Sequence, residues 1–339
     1  MIKPERREAI SELAEILGIS RDLIFQAIRM LENKTAYRIW TGQDPKKPDK
    51  IRQFQKAIWP LNMIQTRIAV KIYPQSVTEI SHGFVAGRTH RTAVLPHLQA
   101  NTFFSFDIKD AFPSTRKKQV QLSFWQFATG FRRELADLMA DLVCYTPTGK
   151  PEDAFLPLGY TSSPYVFNLV LKPTDWLLAR FAQKKGYQVT RYVDNFAISS
   201  RSEIFADDRR DAKRLIESWN LGYFKIPEEK TSYKEVEKGR VHFEFLGLVI
   251  EGFRDGERKI GVADEKLGEY EWVLLGALEE KDFSERKFRE IQGKIRYLKS
   301  VYRSQGRPIP ARLFELYQHY LSMREIALAG KKGQVLFPI

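Results

Sequence analysis

The sequence predicts an α+β fold, and three observations carry that reading. Short runs of aromatic and β-branched residues read as strands: NTFFSFDI at 101–108, and VHFEFLGLVI at 241–250. QVTRYV and FAIS, either side of Asp194, read as two more strands joined by a tight turn. Between these runs lie long segments with apolar residues at helical spacing.

In chain order, residues 6–33 carry that helical spacing and break at Gly18-Ile19-Ser20, which predicts two short helices. They read as a pair packed on the core, although the spacing also admits a DNA-binding helix–turn–helix. Residues 39–56 are polar, basic and contain proline, and predict a loop or hairpin. IWPLNMIQTRIAVKIYPQ predicts a helix. The strand at 101–108 ends in the turn formers of KDAFPST, and 119–143 is helical in pattern. A loop, TPTGKPEDAFLPLGYTSSP, leads into the helix YVFNLVLKPTDWLLARFAQKKG, interrupted or kinked at Pro173. After the strands around Asp194 come a helix at 204–219, the strand VHFEFLGLVI, and a mostly helical, basic stretch from about 264 to 325. There is no internal repeat and no Pro/Gly linker long enough to cut the chain into independent domains.

Composition narrows the function. The 339 residues hold one cysteine, Cys144, which excludes a disulfide framework or a Cys-based zinc site within one chain and fits a reducing compartment. MIKPERREAISELAEILG lacks the apolar run of a signal peptide, and no stretch has the length of a membrane span. A cytoplasmic protein with no membrane partner is expected. The 55 Lys and Arg exceed the 42 Asp and Glu, for a formal charge of +13 spread along the whole chain. A solvated surface accounts for such an excess; so does a polyanion lying in a long cleft.

The candidate chemistry is carboxylate chemistry. Asp107 lies at the end of one strand and Asp194 at a strand–turn–strand. If those strands are neighbours, the two carboxylates meet at one sheet edge. With a backbone carbonyl and substrate phosphates they suit Mg²⁺, and two such ions serve phosphoryl transfer. Either aspartate alone reads as a turn residue bonded to its own backbone.

FDIKDAFPS, LPLGYTSSPYVFNLVL, RYVDNFAIS, IPEEKTSY and FEFLGLVI follow in this order within residues 106–250. Together they resemble reverse transcriptases, of the bacterial group that holds retron, group II intron-like and phage-defence enzymes. HGFVAGRTHRTAVLPH, upstream, is similar to the block before the first catalytic strand of retron-type enzymes. The resemblance implies a right-hand polymerase with fingers, an antiparallel-sheet palm and a helical thumb. Residues 1–36 would be a helical extension, 37–100 the fingers, 101–255 the palm with its insertions, and 256–339 the thumb.

Residue by residue, the resemblance makes Asp107 and Asp194 the main metal ligands and adds the carbonyl of Ile108. Phe112 matches the bulky residue beneath the incoming sugar, where a ring would clash with a 2′-hydroxyl. Gly159 and the TSSP after it match the loop that supports template, primer and nascent base pair, and Asn168 a polar position on the next helix. Lys230 matches the lysine near the leaving pyrophosphate, Lys50 and Arg52 the basic contacts to the triphosphate, and Arg88 a template-phosphate contact. Phe245-Leu246-Gly247 matches the turn that grips the primer strand. Lys294, Arg296 and Lys299 would track phosphates along an RNA–DNA hybrid. For Phe112, Asn168, Lys230 and the thumb cations, core or surface roles fit the residue types as well.

Two positions depart from the family pattern. Leu158 stands where glutamine is usual, and Asn195 where a second aspartate is usual at the catalytic turn. Asn195 keeps an oxygen and loses a charge, which implies weaker metal affinity or a preference for Mn²⁺ over Mg²⁺. The expected activity is RNA-templated DNA synthesis from dNTPs, on a structured noncoding partner RNA, in antiphage defence or a retron-like element with a neighbouring effector protein. Template-independent, even protein-primed, DNA synthesis and a catalytically impaired RNA-binding scaffold remain open alternatives.

Overall fold

The computed structural model describes residues 3–44, 47–128, 132–159, 161–219 and 221–333. The chain divides into two compact units, residues 1–93 with 102–233 and residues 94–101 with 234–339. No linker marks the division.

The first unit opens with α1 (Pro4–Leu17) and α2 (Arg21–Glu32). Gly18 takes the left-handed conformation that ends α1, and the Ser20 hydroxyl accepts from Asp22 N at 3.1 Å to start α2. Ile10, Leu13, Ile24 and Ala27 are fully buried, so the pair packs on the core. The polar stretch that follows is a hairpin, β1 (Tyr37–Asp44) and β2 (Lys47–Ala57). α3 (Leu61–Ser76), α4 (His90–Val94) and β3 (Thr102–Asp107) come next. The turn formers after β3 make one helical turn, α5 (Ala111–Ser114).

The segment 119–143 is two helices, α6 (Lys117–Phe127) and α7 (Arg133–Val143). α8 (Ser163–Lys185) runs through Pro173 as one helix, so of the interruption or kink expected there the interruption does not occur. Both halves of α8 bury apolar residues against the core, and that packing outweighs one missing backbone bond. β4 (Gln188–Tyr192), β5 (Asn195–Ser200), α9 (Ala206–Trp219) and β6 (Thr231–Glu235) follow.

The sheet has the order β4-β5-β3-β6, with β4–β5 and β3–β5 antiparallel. The register sets Phe106 opposite Phe196 and Asp107 opposite Asn195. Phe106 and Phe196 stack at 5.1 Å with planes 11° apart. With Phe104, Phe124 and Phe167 they form a core that fixes the strands to the helices.

In the second unit the segment expected to be one strand is two. β7 (Arg240–Phe245) turns at Leu246-Gly247 into β8 (Leu248–Phe253), which pairs with β9 (Arg258–Val262). Leu246 and Gly247 both have positive φ, the signature of a two-residue hairpin turn, at the turn the family resemblance implies and the hydrophobic pattern runs through. The buried Arg258 bonds the Ala100 carbonyl and donates to Asn101 Oδ1 at 2.6 Å, tying residues 98–101 to β9. α10 (Asp264–Glu279), α11 (Glu285–Tyr302) and α12 (Ala311–Gly333) follow. Among the described residues no helix is long and apolar enough to cross a membrane.

Phe196 is fully buried on the strand that carries the site. Phe196→Ala is expected to lower stability by about 3–5 kcal/mol. Urea denaturation measures it; a loss below about 1 kcal/mol would contradict this packing.

Candidate active site

β3 ends at Asp107 and β5 begins at Asn195, directly opposite. The turn between β4 and β5 is only Val193-Asp194, closed by the pair Tyr192–Asn195. Side-chain alternation and register therefore bring Asp107 and Asp194 to one sheet edge. Ile108 N donates to the Asp194 carbonyl at 3.2 Å and ties the two strand ends together. Lys230 enters from the start of β6, the neighbour of β3, and its Nζ donates to Asp107 Oδ1 at 2.5 Å.

A cavity of about 380 Å³ opens over this edge, lined by Asp107, Asp194, Lys230, Arg52, Phe112 and Leu158 among others. Ile108 lines it too. Arg52 is brought there by β2. The Gly159 loop interlocks with that strand: Gln55 N donates to the Leu158 carbonyl at 3.0 Å. Gly159 has φ +91°, and a Cβ there would lie 3.3 Å from the Gln55 carbonyl. A side chain would meet both conflicts at once.

The electrostatics are those of a crowded anionic edge. Burial first, and the Asp107 charge second, push the Asp194 carboxyl up to about 6. Lys230 and the Asn195 amide, whose Nδ2 donates to Asp194 Oδ1 at 3.1 Å, act the other way. Among the described residues there is no group of three or more His, Cys, Asp or Glu side chains able to hold a metal alone. Two carboxylates suit an ion that takes its other ligands from phosphates and water, as Mg²⁺ does. The raised Asp194 marks negative charge that a cation would relieve, so the residues present fit a divalent ion.

The hairpin tip is strained. Val193 has φ +59°, in a region that β-branched residues seldom enter, at a cost of about 1–3 kcal/mol. The Gly83 backbone packs on it so closely that a Cβ at 83 would lie 2.6 Å from Val193 Cγ2.

Other expected site residues lie elsewhere. Asn168 is 1% exposed and does not line the cavity. Its Nδ2 donates to the Gly83 carbonyl at 2.9 Å and its Oδ1 accepts from Arg191 at 2.8 Å, so the nucleotide contact expected of it is corrected to a buried structural bond. Arg88 turns its Nη1 onto the carbonyls of Thr78, Glu79 and Ser81, at 2.5–3.0 Å. That nitrogen braces a loop. Lys50 lies in β2, but its side chain is outside the described residues. Phe245, Leu246 and Gly247 form the β7–β8 turn of the second unit. On α11, Lys294 bonds Glu269 at 3.2 Å, Lys299 sits over the Tyr317 ring, and Arg296 is exposed.

Sequence reading missed Asp110 and Gln55, which also line the cavity, and Arg191 and Asp175 beneath the hairpin. Asp110 stands in FDIKDAFPS and was legible as a third acidic residue. Gln55 carried no signal.

The family model described as reverse transcriptase (RNA-dependent DNA polymerase) matches residues 45–250, more than half of the 339-residue chain. The retron Ec86 reverse transcriptase of Escherichia coli is 26% identical over 238 residues, covering 69% of this chain and 67% of that one. The retron Mx65 reverse transcriptase of Myxococcus xanthus is 29% identical over 168 residues, 46% of this chain and 39% of that one. The solved structure of apo telomerase from Candida tropicalis, truncated from its C-terminal domain, aligns over 71% of this chain and 60% of its own at 11% identity and a TM-score of 0.46.

The raised Asp194 makes a stability prediction. Its folded value lies above the ordinary 3.8. The native state therefore holds the proton more tightly, and the stability this gives is complete below about pH 4 and lost as pH rises to about 6. Asp194→Asn removes that loss. In metal-free buffer at pH 7.5 it is expected to stabilise by about 1–3 kcal/mol, with no gain at pH 4. Thermal melts with chelator at both pH values measure this; an equal shift at both would count against it.

Proposed function

The chain belongs to the reverse transcriptase family, and from that premise we propose that it is an RNA-directed DNA polymerase of retron type. The observation that carries the reading is the β3–β5 register, which sets Asp107 and Asp194 at one edge under one cavity.

In this reading Asp107 and Asp194, with the Ile108 carbonyl, would hold two divalent ions, Mg²⁺ or Mn²⁺, which would supply positive charge against the phosphates during phosphoryl transfer. A primer hydroxyl attacks the α-phosphate of a dNTP and pyrophosphate leaves. Arg52, with Lys50, binds the triphosphate. Lys230 moves from Asp107 to the leaving pyrophosphate, where an ammonium stabilises or protonates it. Phe112, tilted against Phe167 at 5.2 Å, supports the sugar and excludes a 2′-hydroxyl. Gly159 brings backbone close to the nascent base pair. Phe245-Leu246-Gly247 holds the primer strand, and Lys294, Arg296 and Lys299 the hybrid backbone.

Residues 37–100 take the part of fingers, 101–255 of palm and 256–339 of thumb, with 1–36 as an extension. The template is a structured noncoding RNA, the setting the bacterial cytoplasm. The role is antiphage defence or a retron-like element, with a neighbouring effector protein.

The test is to purify the protein with the RNA it retains and supply labelled dNTPs with Mg²⁺ or Mn²⁺, beside Asp194→Ala. The expected result is DNA complementary to the retained RNA, with synthesis falling by at least about 1000-fold in the variant. DNA of random or single-nucleotide sequence would replace this reading with template-independent synthesis. No incorporation with either ion, RNA still bound, would replace it with a scaffold. Phe112→Val is expected to lower the preference for dNTP over NTP by about 10–200-fold, read from the ratio of kcat/KM values.

A further inference from the structure

Beneath the hairpin tip lies a buried polar cluster, none of whose members lines the cavity. Arg191 and Asp175 have side chains with 0% exposure. The guanidinium grips the carboxylate with two parallel bonds, Nε to Oδ1 at 2.7 Å and Nη2 to Oδ2 at 2.6 Å. Nη1 donates to Asn168 Oδ1 at 2.8 Å and to the Val193 carbonyl at 2.8 Å. Thr78 Oγ1 donates to Asp175 Oδ2 at 2.7 Å, and Asn168 Nδ2 to the Gly83 carbonyl at 2.9 Å. The Arg191 backbone is held as well, by Ile80 on its N–H and His82 on its carbonyl, both at 2.7 Å.

Stability alone does not account for such a cluster, because a buried ion pair seldom outperforms well-packed apolar residues of similar volume. What an apolar side chain cannot do is bond the Val193 carbonyl. That carbonyl belongs to the residue with φ +59°, immediately before Asp194. Gly83, a second arm of the cluster through Asn168, packs on the same residue. The cluster thus touches the strained peptide from two sides, and Ile108 N holds the next carbonyl from the sheet.

We propose that Arg191, fixed by Asp175 and Asn168, is a positioning residue that holds the Val193-Asp194 turn so that Asp194 meets the same ion as Asp107. The proposal rests on the polymerase reading above. A lysine cannot replace the fork, since one ammonium does not supply the parallel pair to Asp175 and also reach Asn168 and Val193. A shift of the turn by about 1 Å is enough to lose about 100-fold in rate.

The experiment compares the full chain with Arg191→Lys and Asn168→Ala, each with its retained RNA. Asn168→Ala leaves the Arg191–Asp175 pair in place and serves if the first variant does not fold. Two readouts are taken: single-nucleotide incorporation, and Mn²⁺ affinity by electron paramagnetic resonance without dNTP. Arg191→Lys is expected to lower kcat about 100-fold, with KM for dNTP changed less than about 3-fold, and to weaken Mn²⁺ binding at least about 10-fold. Asn168→Ala is expected to shift both in the same direction by about 10-fold. Retained RNA is unchanged in both. Wild-type Mn²⁺ affinity and kcat in folded Arg191→Lys would overturn the proposal. So would losses that track only lower melting temperature and lost RNA. If wild-type protein binds Mn²⁺ but makes no DNA, the polymerase reading fails, while the Mn²⁺ comparison still decides whether Arg191 places the turn.

Discussion

Two carboxylates brought to one half-buried sheet edge repel each other, and much of the local structure answers that repulsion. Water would screen it, but Asp194 is half-buried and its carboxyl is pushed up to about 6. The strand register leaves no freedom to relax, because Asp107 closes β3 exactly where β5 begins. Two neighbours respond: Lys230 lays a cation on Asp107, and the Asn195 amide bonds the Asp194 carboxylate. An edge so arranged is in deficit of positive charge, a property of use only when something cationic comes to it.

The geometry has its own tension. A two-residue turn keeps Asp194 close to the strand end, but it drives Val193 to positive φ. A glycine at 193 would ease the strain and loosen the turn. The protein instead keeps valine and surrounds it with the Gly83 backbone and the Arg191–Asp175 fork. Strain persists only where neighbours over-determine it, and here they are packed from the core outward. The aromatic stack of Phe106 and Phe196 performs the same service from within the sheet, since a slip of β3 by one residue would turn Asp107 away from Asp194.

What the sequence disclosed follows the range of the interactions involved. Asp107 and Asp194 were legible because alternation along a strand and a tight turn are local facts, and the order of the blocks supplied the pairing. The two N-terminal helices were legible from Gly18 and Ser20. At Pro173 the interruption that a local rule allows does not occur, because both halves of the helix bury apolar residues. The β7–β8 turn was legible from the family block at Phe245-Leu246-Gly247, but not from the residue pattern, because Leu246 is not a turn former by type. Asn168 shows a different limit: a residue type at a motif position says nothing about where the side chain points. Arg191 meets Asp175 from a strand to a helix, and neither residue carries a local mark of burial. Gln55 reaches the cavity only because the β1–β2 hairpin folds over it.

Asn195 draws these strands together. It lies directly opposite Asp107 in the β3–β5 ladder. Like charges at such a cross-strand pair are destabilising. An aspartate there would set a third negative charge against Asp107 and beside Asp194, whose proton is already held too tightly. Asparagine keeps the shape, removes that charge, and donates to Asp194 Oδ1, a bond that favours the ionised form. Asparagine at 195 therefore gives a hairpin tip that is easier to hold, and it leaves Asp107 and Asp194 as the pair on which the proposed chemistry depends.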